Sequence, residues 1–228
     1  MRDSDIMEIR QLSLFDGISD TYFDKLTHGA YVQSFPPQVE LINEGDFCDF
    51  LHIIVEGRVE LFAHWNERES TMAILRPVST FILAATIRDA PCLMSARTLE
   101  KTRIVLLPSS NVRAVFGEDT AFARAVVEDL AKSYRSVIRS SKDLKLRSAI
   151  ERLANYLLRQ RKRAGDAVEF TLPIEKRRLA SNLGMTAENL SRAFKTLQPY
   201  GVETDGATVT ISDPADLIKL AKPTPLID

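Results

Sequence analysis

Three side chains near the end of the chain have the types and the spacing to read a nucleic acid. Glu188, Ser191 and Arg192 stand at i, i+3 and i+4, so on an α-helix they share one face. Arginine can donate twice to guanine O6 and N7. Glutamate can accept from cytosine N4, and serine can meet a neighbouring base or a thymine edge. Around them lie Lys176, Arg177, Arg178, Thr186 and Lys195, candidates for phosphate contacts that position a protein without reading sequence. The alternative for each cation is an ordinary solvated surface charge. No catalytic set competes with this reading. His52 and His64 are twelve residues apart with no His-x-His pair, and neither a Gly-rich phosphate loop nor a nucleophile elbow occurs. The chain is therefore expected to be no enzyme and to hold no metal site.

Such a face needs a helix held by a second one. Leu179, Ala180, Leu183, Gly184, Met185 and Leu190 occupy the positions a helix-turn-helix requires. Ala180 lets the helices approach, and Gly184 supplies a positive-φ turn. Thr186 is expected to cap a second helix over 187–197, ended by Pro199. Two short strands about Asp205-Gly206 then read as a hairpin, the wing of a winged helix. A short alternating strand at 168–172 precedes the motif.

Upstream, residues 119–163 contain neither Pro nor Gly and read as helix. Ala123, Val127, Leu130, Tyr134, Val137, Ser141 and Leu144 recur at spacings of 4, 3, 4, 3, 4 and 3, a heptad seam that wants a partner helix. Pairing of two copies is favoured over packing on the same chain, although Ser141 weakens the seam and Tyr134 is bulky for it. The apolar register then changes, which predicts a break near 146–148. Residues 31–108 are different: short strands are expected at 31–35, 39–42, 52–56, 58–64, 71–75 and 103–107, separated by turn signals, after a helical preface at 12–28. That pattern predicts a sandwich or small barrel. The expected division is a β-rich domain over 1–118, a dimerisation helix and hinge over 119–147, and a DNA-binding domain over 148–228.

Composition fits a globular protein. Of 228 residues 45% are hydrophobic and 27% charged, and the net charge is −1. The charge is unevenly spread, with 14 basic against 6 acidic residues between 139 and 195, as expected where one half meets a polyanion. The two cysteines, Cys48 and Cys92, are too few for a disulfide scaffold, a four-cysteine zinc site or an all-cysteine iron–sulfur cluster within one chain. No apolar run is long enough for a bilayer, and no signal-peptide region opens the chain. A cytoplasmic protein without a membrane partner is expected.

Leu41-Ile42-Asn43-Glu44-Gly45-Asp46 and the run from Leu51 through Gly57 to Leu61 resemble the early strands of a cyclic-nucleotide-binding β-roll. The order β-roll, long helix, winged helix-turn-helix resembles the Crp/Fnr family of bacterial transcription regulators, from about residue 12 to 220. Glu188, Ser191 and Arg192 match the Glu-x-x-Ser-Arg of the Fnr branch; the Crp branch fits less well. The resemblance implies an α+β fold, a homodimer on double-stranded promoter DNA, RNA polymerase as a partner, and a TTGAT half-site with its inverted repeat ATCAA. It also implies recognition helices about 34 Å apart in successive major grooves.

The sensor half departs from the family pattern. Where cyclic-AMP-binding members carry a Gly-Glu loop and an Arg-Ser-Ala-like run, this chain reads Phe81-Ile82-Leu83-Ala84-Ala85-Thr86 and then Cys92-Leu93-Met94-Ser95-Ala96. A buried phosphate without its guanidinium is costly, and alternation turns Arg97 away from the face of Ala96. Cyclic AMP is therefore not the expected effector. Two branches stay open. One resembles the NnrR/Dnr regulators, which answer to nitric oxide through haem; low oxygen is a related signal. The other resembles FixK-type regulators, active without a small ligand. Haem iron would draw an axial ligand from His28, His52, His64, Cys48, Cys92 or Met94, and no pair of these has diagnostic spacing.

Overall fold

The computed structural model describes residues 3–228 and divides into two compact units, the first ending at Tyr134 and the second covering Arg135–Asp228. In the first unit, helix α1 (Asp3–Arg10), a 3-10 turn (Ser13–Phe15) and helix α2 (Asp20–Thr27) precede the strands. The preface is thus broken rather than continuous, with Gly17 at φ 75° between the turn and α2.

The strands are β1 (Tyr31–Phe35), β2 (Glu40–Ile42), β3 (Phe50–Glu56), β4 (Val59–Trp65), β5 (Arg68–Leu75), β6 (Ser79–Phe81), β7 (Ser95–Thr98) and β8 (Thr102–Pro108). They form two four-stranded antiparallel sheets, in the orders β1-β8-β3-β6 and β2-β7-β4-β5. Strands β6 and β7 escape the sequence pattern because each is only three or four residues long. Helix α3 (Leu83–Arg88) lies between them, within an apolar stretch for which no strand is expected.

Strands β3 and β8 are buried on both faces, which is why they read as near-continuous apolar runs. Ile54, Ile104 and Leu106 share a core with Ile42, Val59, Leu61 and Ala96 of the second sheet. Leu51, Ile53, Val105 and Leu107 point the other way, onto Phe15, Leu26, Val112 and Phe122 of the helical layer. Helix α4 (Ser109–Glu118) and the start of α5 (Thr120–Leu146) complete that layer. At the turn between β3 and β4, Gly57 has φ 88°, and a Cβ there would stand 2.6 Å from the Lys101 carbonyl oxygen. Only glycine fits this turn without displacing backbone.

The second unit takes the end of α5, then α6 (Ala149–Arg163), β9 (Glu169–Thr171), α7 (Lys176–Asn182), α8 (Ala187–Leu197), β10 (Val202–Asp205), β11 (Thr208–Ile211) and α9 (Pro214–Ala221). The small sheet runs β10-β11-β9. Leu153, Leu157, Leu179, Leu190, Phe194, Leu197 and Val209 form its core.

The break between α5 and α6 falls where the register change predicts it, and it has a chemical cause. Ser148 caps α6 by accepting from the Glu151 backbone N–H, while the Glu151 carboxylate accepts from the Ser148 N–H at 2.8 Å. This reciprocal capping box satisfies donors that a continuous helix would have paired internally. Arg147, just before it, is held by Asp143 at 3.0 Å and by Asp228 at 2.6 Å. Asp228 also binds Arg159 at 2.6 Å and accepts from the Thr224 N–H. Its carboxyl lies below the usual range: burial pushes it up, but the hydrogen bond from Arg147 and the charges around it outweigh burial.

Candidate nucleic-acid interface

Helix α8 carries the three predicted reading residues. One face is apolar and buried through Leu190, Ala193, Phe194 and Leu197; Glu188, Ser191 and Arg192 stand exposed on the other side. The helix begins as expected: the Thr186 hydroxyl accepts from the Asn189 N–H at 3.2 Å. Glu188 sits in the first turn, where a negative charge suits the helix dipole. Its carboxyl is held below the ordinary value by its own backbone N–H, then by the Thr186 hydroxyl, with Arg192 adding to the effect.

Arg192 does not pair closely with Glu188. Its guanidinium donates to the side-chain oxygen of Asn189, one turn earlier. The Glu-x-x-Ser-Arg spacing does not reveal this contact of Asn189 with Arg192; an amide three residues before an arginine on a helix was the available signal.

The flanking cations separate into two groups. Lys176, Arg177 and Lys195 are exposed. The Lys176 ammonium also lies 5.3 Å from the Phe194 ring centroid, beside a shallow groove of about 250 Å³ bordered by Ser191, Lys195, Gln198 and Thr204. Arg178 is more enclosed and bonds Glu175 at 3.3 Å. The Thr186 hydroxyl is engaged at the helix cap.

The turn between α7 and α8 is built by Gly184, at φ 62°. A Cβ there would also approach the Leu144 side chain to 2.7 Å, so the end of α5 abuts the turn between α7 and α8. A second support lay outside the sequence reading. Arg152, only 9% exposed, donates to the Leu183 carbonyl at 2.8 Å, to that of Arg147 at 2.7 Å and to that of Gly184 at 3.4 Å. One side chain therefore ties the start of α6 to both the interhelical break and the turn between α7 and α8. The signal available in sequence was an arginine inside the apolar register of Ile150, Leu153 and Leu157. The wing is the predicted hairpin, with Gly206 at φ 55° in its Asp-Gly turn.

The seam residues of α5 also have defined surroundings. Val127, Tyr134, Val137 and Leu144 are 57%, 67%, 65% and 46% exposed, while Ala123, Leu130 and Ser141 are half-buried. Phe122 and Val126, on the flank of this seam, are buried, and Leu130 of the seam itself packs against the same core.

The haem-ligand candidates do not converge. His28 ends α2 and is exposed, and His64 is exposed beside Glu69. His52 is buried against the Phe81 ring, with its Nδ1 unpartnered. Burial pushes its pKa down to about 4, a backbone hydrogen bond at Phe50 opposing in part. Cys48 and Cys92 lie together, and Met94 packs against the same core cluster. Among the described residues no group of three or more His, Cys, Asp or Glu side chains could hold a metal ion, and no helix is long and apolar enough to cross a membrane. Arg97 is fixed by Glu60 at 2.8 Å and by Glu69, with its guanidinium over the Phe62 ring.

Comparison with known proteins agrees with this architecture. The family described as cyclic nucleotide-binding domain matches residues 32–119, and the family described as Crp-like helix-turn-helix domain matches residues 151–220. The CRP-like cAMP-activated global transcriptional regulator of Mycobacterium tuberculosis is 23% identical over 220 residues, 94% of this chain and 98% of that protein. Among solved structures, a transcriptional regulator of the Crp/Fnr family from Eubacterium rectale has a TM-score of 0.78 at 18% identity, covering 93% of this chain and 99% of the other. FixK2 from Bradyrhizobium japonicum has 0.72 at 23%, covering 86% and 98%. With both domains matched in this order over more than half of its length, the chain belongs to the Crp/Fnr family of DNA-binding transcription regulators.

Proposed function

We propose that two copies of the chain pair along α5 and read a TTGAT-type inverted repeat in promoter DNA through Glu188, Ser191 and Arg192. The observation that carries this reading is the exposure of those three side chains on one side of α8, whose other side is core. Lys176, Arg177 and Lys195 supply phosphate contacts; Arg178 and Thr186 contribute less, because Glu175 and the helix cap already engage them. Pairing is supported by the exposed apolar side chains at Val127, Tyr134 and Val137. RNA polymerase is the partner that a promoter-bound regulator of this family addresses, in the cytoplasm.

The β-rich unit would bias the α5 pair, and the break at Arg147-Ser148 would pass that bias to the reading helices. A contact supports this path: the Thr80 hydroxyl of β6 donates to Asp129 on α5. An effector then acts by favouring the pose that fits both half-sites.

For the effector, cyclic AMP named for the mycobacterial relative is not carried over. By the family resemblance an apolar residue near Leu93 or Met94 replaces the phosphate-binding arginine, and Arg97 is committed to two carboxylates. Nitric oxide or low oxygen sensed through haem is one remaining reading. The other is a FixK-like regulator active without a small ligand. Electrophoretic shift at fixed salt, comparing a TTGAT palindrome with a scrambled duplex, tests the DNA reading. Repeating it with cyclic AMP, and with haem in the presence and absence of nitric oxide, separates the effector readings. No preference for the palindrome under any condition overturns the proposal.

A further inference from the structure

The two cysteines, 44 positions apart in sequence, meet in the fold. Cys48 lies between β2 and β3, and Cys92 between α3 and β7, with their Sγ atoms 2.8 Å apart. Backbone hydrogen bonds hold the two segments together. The Gly45 N–H donates to the Cys92 carbonyl at 2.8 Å, and the Cys92 N–H to that of Asp46 at 2.9 Å. The Cys48 carbonyl is itself fixed by the Ser109 hydroxyl at 2.8 Å. Cys92 is 2% exposed and belongs to the core between the sheets; Cys48 is half-buried at its edge. Closing a disulfide would therefore need little movement of either backbone, and it would use sulfurs that no other part of the site employs.

We propose that Cys48 and Cys92 are a redox modification site that closes reversibly to an intramolecular disulfide with low-molecular-weight disulfides as oxidant. The Cys48 thiolate, the one solvent reaches, attacks one sulfur of the oxidant and expels the first thiolate. The Cys92 thiolate then attacks the Cys48 sulfur of the mixed disulfide and expels the second. Two protein thiols are oxidised, one external disulfide is reduced to two thiols, and the two protein protons go to the leaving thiolates.

The surroundings set the selectivity. Burial first, then Cys92, Asp46 and Asp49, push the Cys48 thiol up to about 12, so an uncharged oxidant is favoured over an anionic one. The rate rises about tenfold per pH unit over the range below that value, because only the thiolate attacks. The pair thus answers to sustained rather than momentary oxidation.

The test uses the full chain, reduced, freed of reductant and incubated with bis(2-hydroxyethyl) disulfide at about pH 8.5, the ordinary thiol pKa. The expected result is loss of both titratable thiols, an intact mass lower by two hydrogens with no adduct, a peptide linking Cys48 to Cys92, and full recovery with dithiothreitol. Cys92→Ser should stop at a stable mixed disulfide on Cys48. Two thiols surviving in the unmodified chain, a persistent adduct on it, or a disulfide between two chains would each overturn the proposal.

Discussion

Replacing Arg152 by leucine probes whether one buried side chain holds the turn between α7 and α8 in place. The arginine donates to three backbone carbonyls, two of them at 2.8 and 2.7 Å and the third, weaker, at 3.4 Å. Hydrogen bonds from a charged donor contribute roughly 1.5–3 kcal/mol each. Part of that returns when the exposed Gly184 carbonyl finds water, while Leu183, 3% exposed, regains little. The lost pairing thus amounts to about 3 kcal/mol, or a hundredfold in the opening equilibrium of α7 and α8. Amide hydrogen exchange of the full chain, read on peptides covering 176–197, should quicken by that factor. Peptides from β3 and β4 should be unchanged. The sole tryptophan, Trp65, lies in the first unit and should keep its denaturation midpoint. Arg152→Lys, with one compact ammonium, should recover about half of the loss. If the leucine variant exchanges within about threefold of the parent, or the strands of the first unit quicken equally, Arg152 is not the support described.

Arg192→Ala should weaken binding to a TTGAT palindrome by roughly 1–3 kcal/mol and relax discrimination against a scrambled half-site, measured by fluorescence anisotropy at one salt concentration. Lys195→Ala should weaken all duplexes alike and flatten the salt dependence of log K by about one phosphate's worth. Val137→Glu places a charge on the exposed seam and should shift sedimentation toward the monomer, with loss of full-operator binding. The folded protein resists protonating His52 until about pH 4, whereas the unfolded chain protonates it near 6.5. Stability of the first unit should therefore decline by about 3 kcal/mol as pH falls between those values, and His52→Phe should remove this component in urea titrations followed by Trp65.

The second unit was largely legible in the sequence. Ala180, Gly184 and the Thr186 cap mark two short helices whose apolar faces must meet, and Asp205-Gly206 admits little but a hairpin. The sandwich was legible as a class, since most of its strands carry alternation or long apolar runs between turn signals. Its pairing was not: β6 and β7 are too short to show a period, and the strand order β1-β8-β3-β6 joins segments far apart in the chain. What stayed hidden is mainly tertiary. Nothing local sets Arg152 under the Leu183 carbonyl or brings Cys48 to Cys92. The residues after 213 showed only prolines and a modest apolar content, so neither α9 nor the role of Asp228 could be read there.

The clasp of Asp228 on Arg147 and Arg159 makes residues 222–228 a keystone of the joint. Trimming them strands two guanidinium groups beside the point where the long helix hands over to α6. A loss of operator binding in a variant changed at Asp228 would therefore speak of the joint rather than of the reading face.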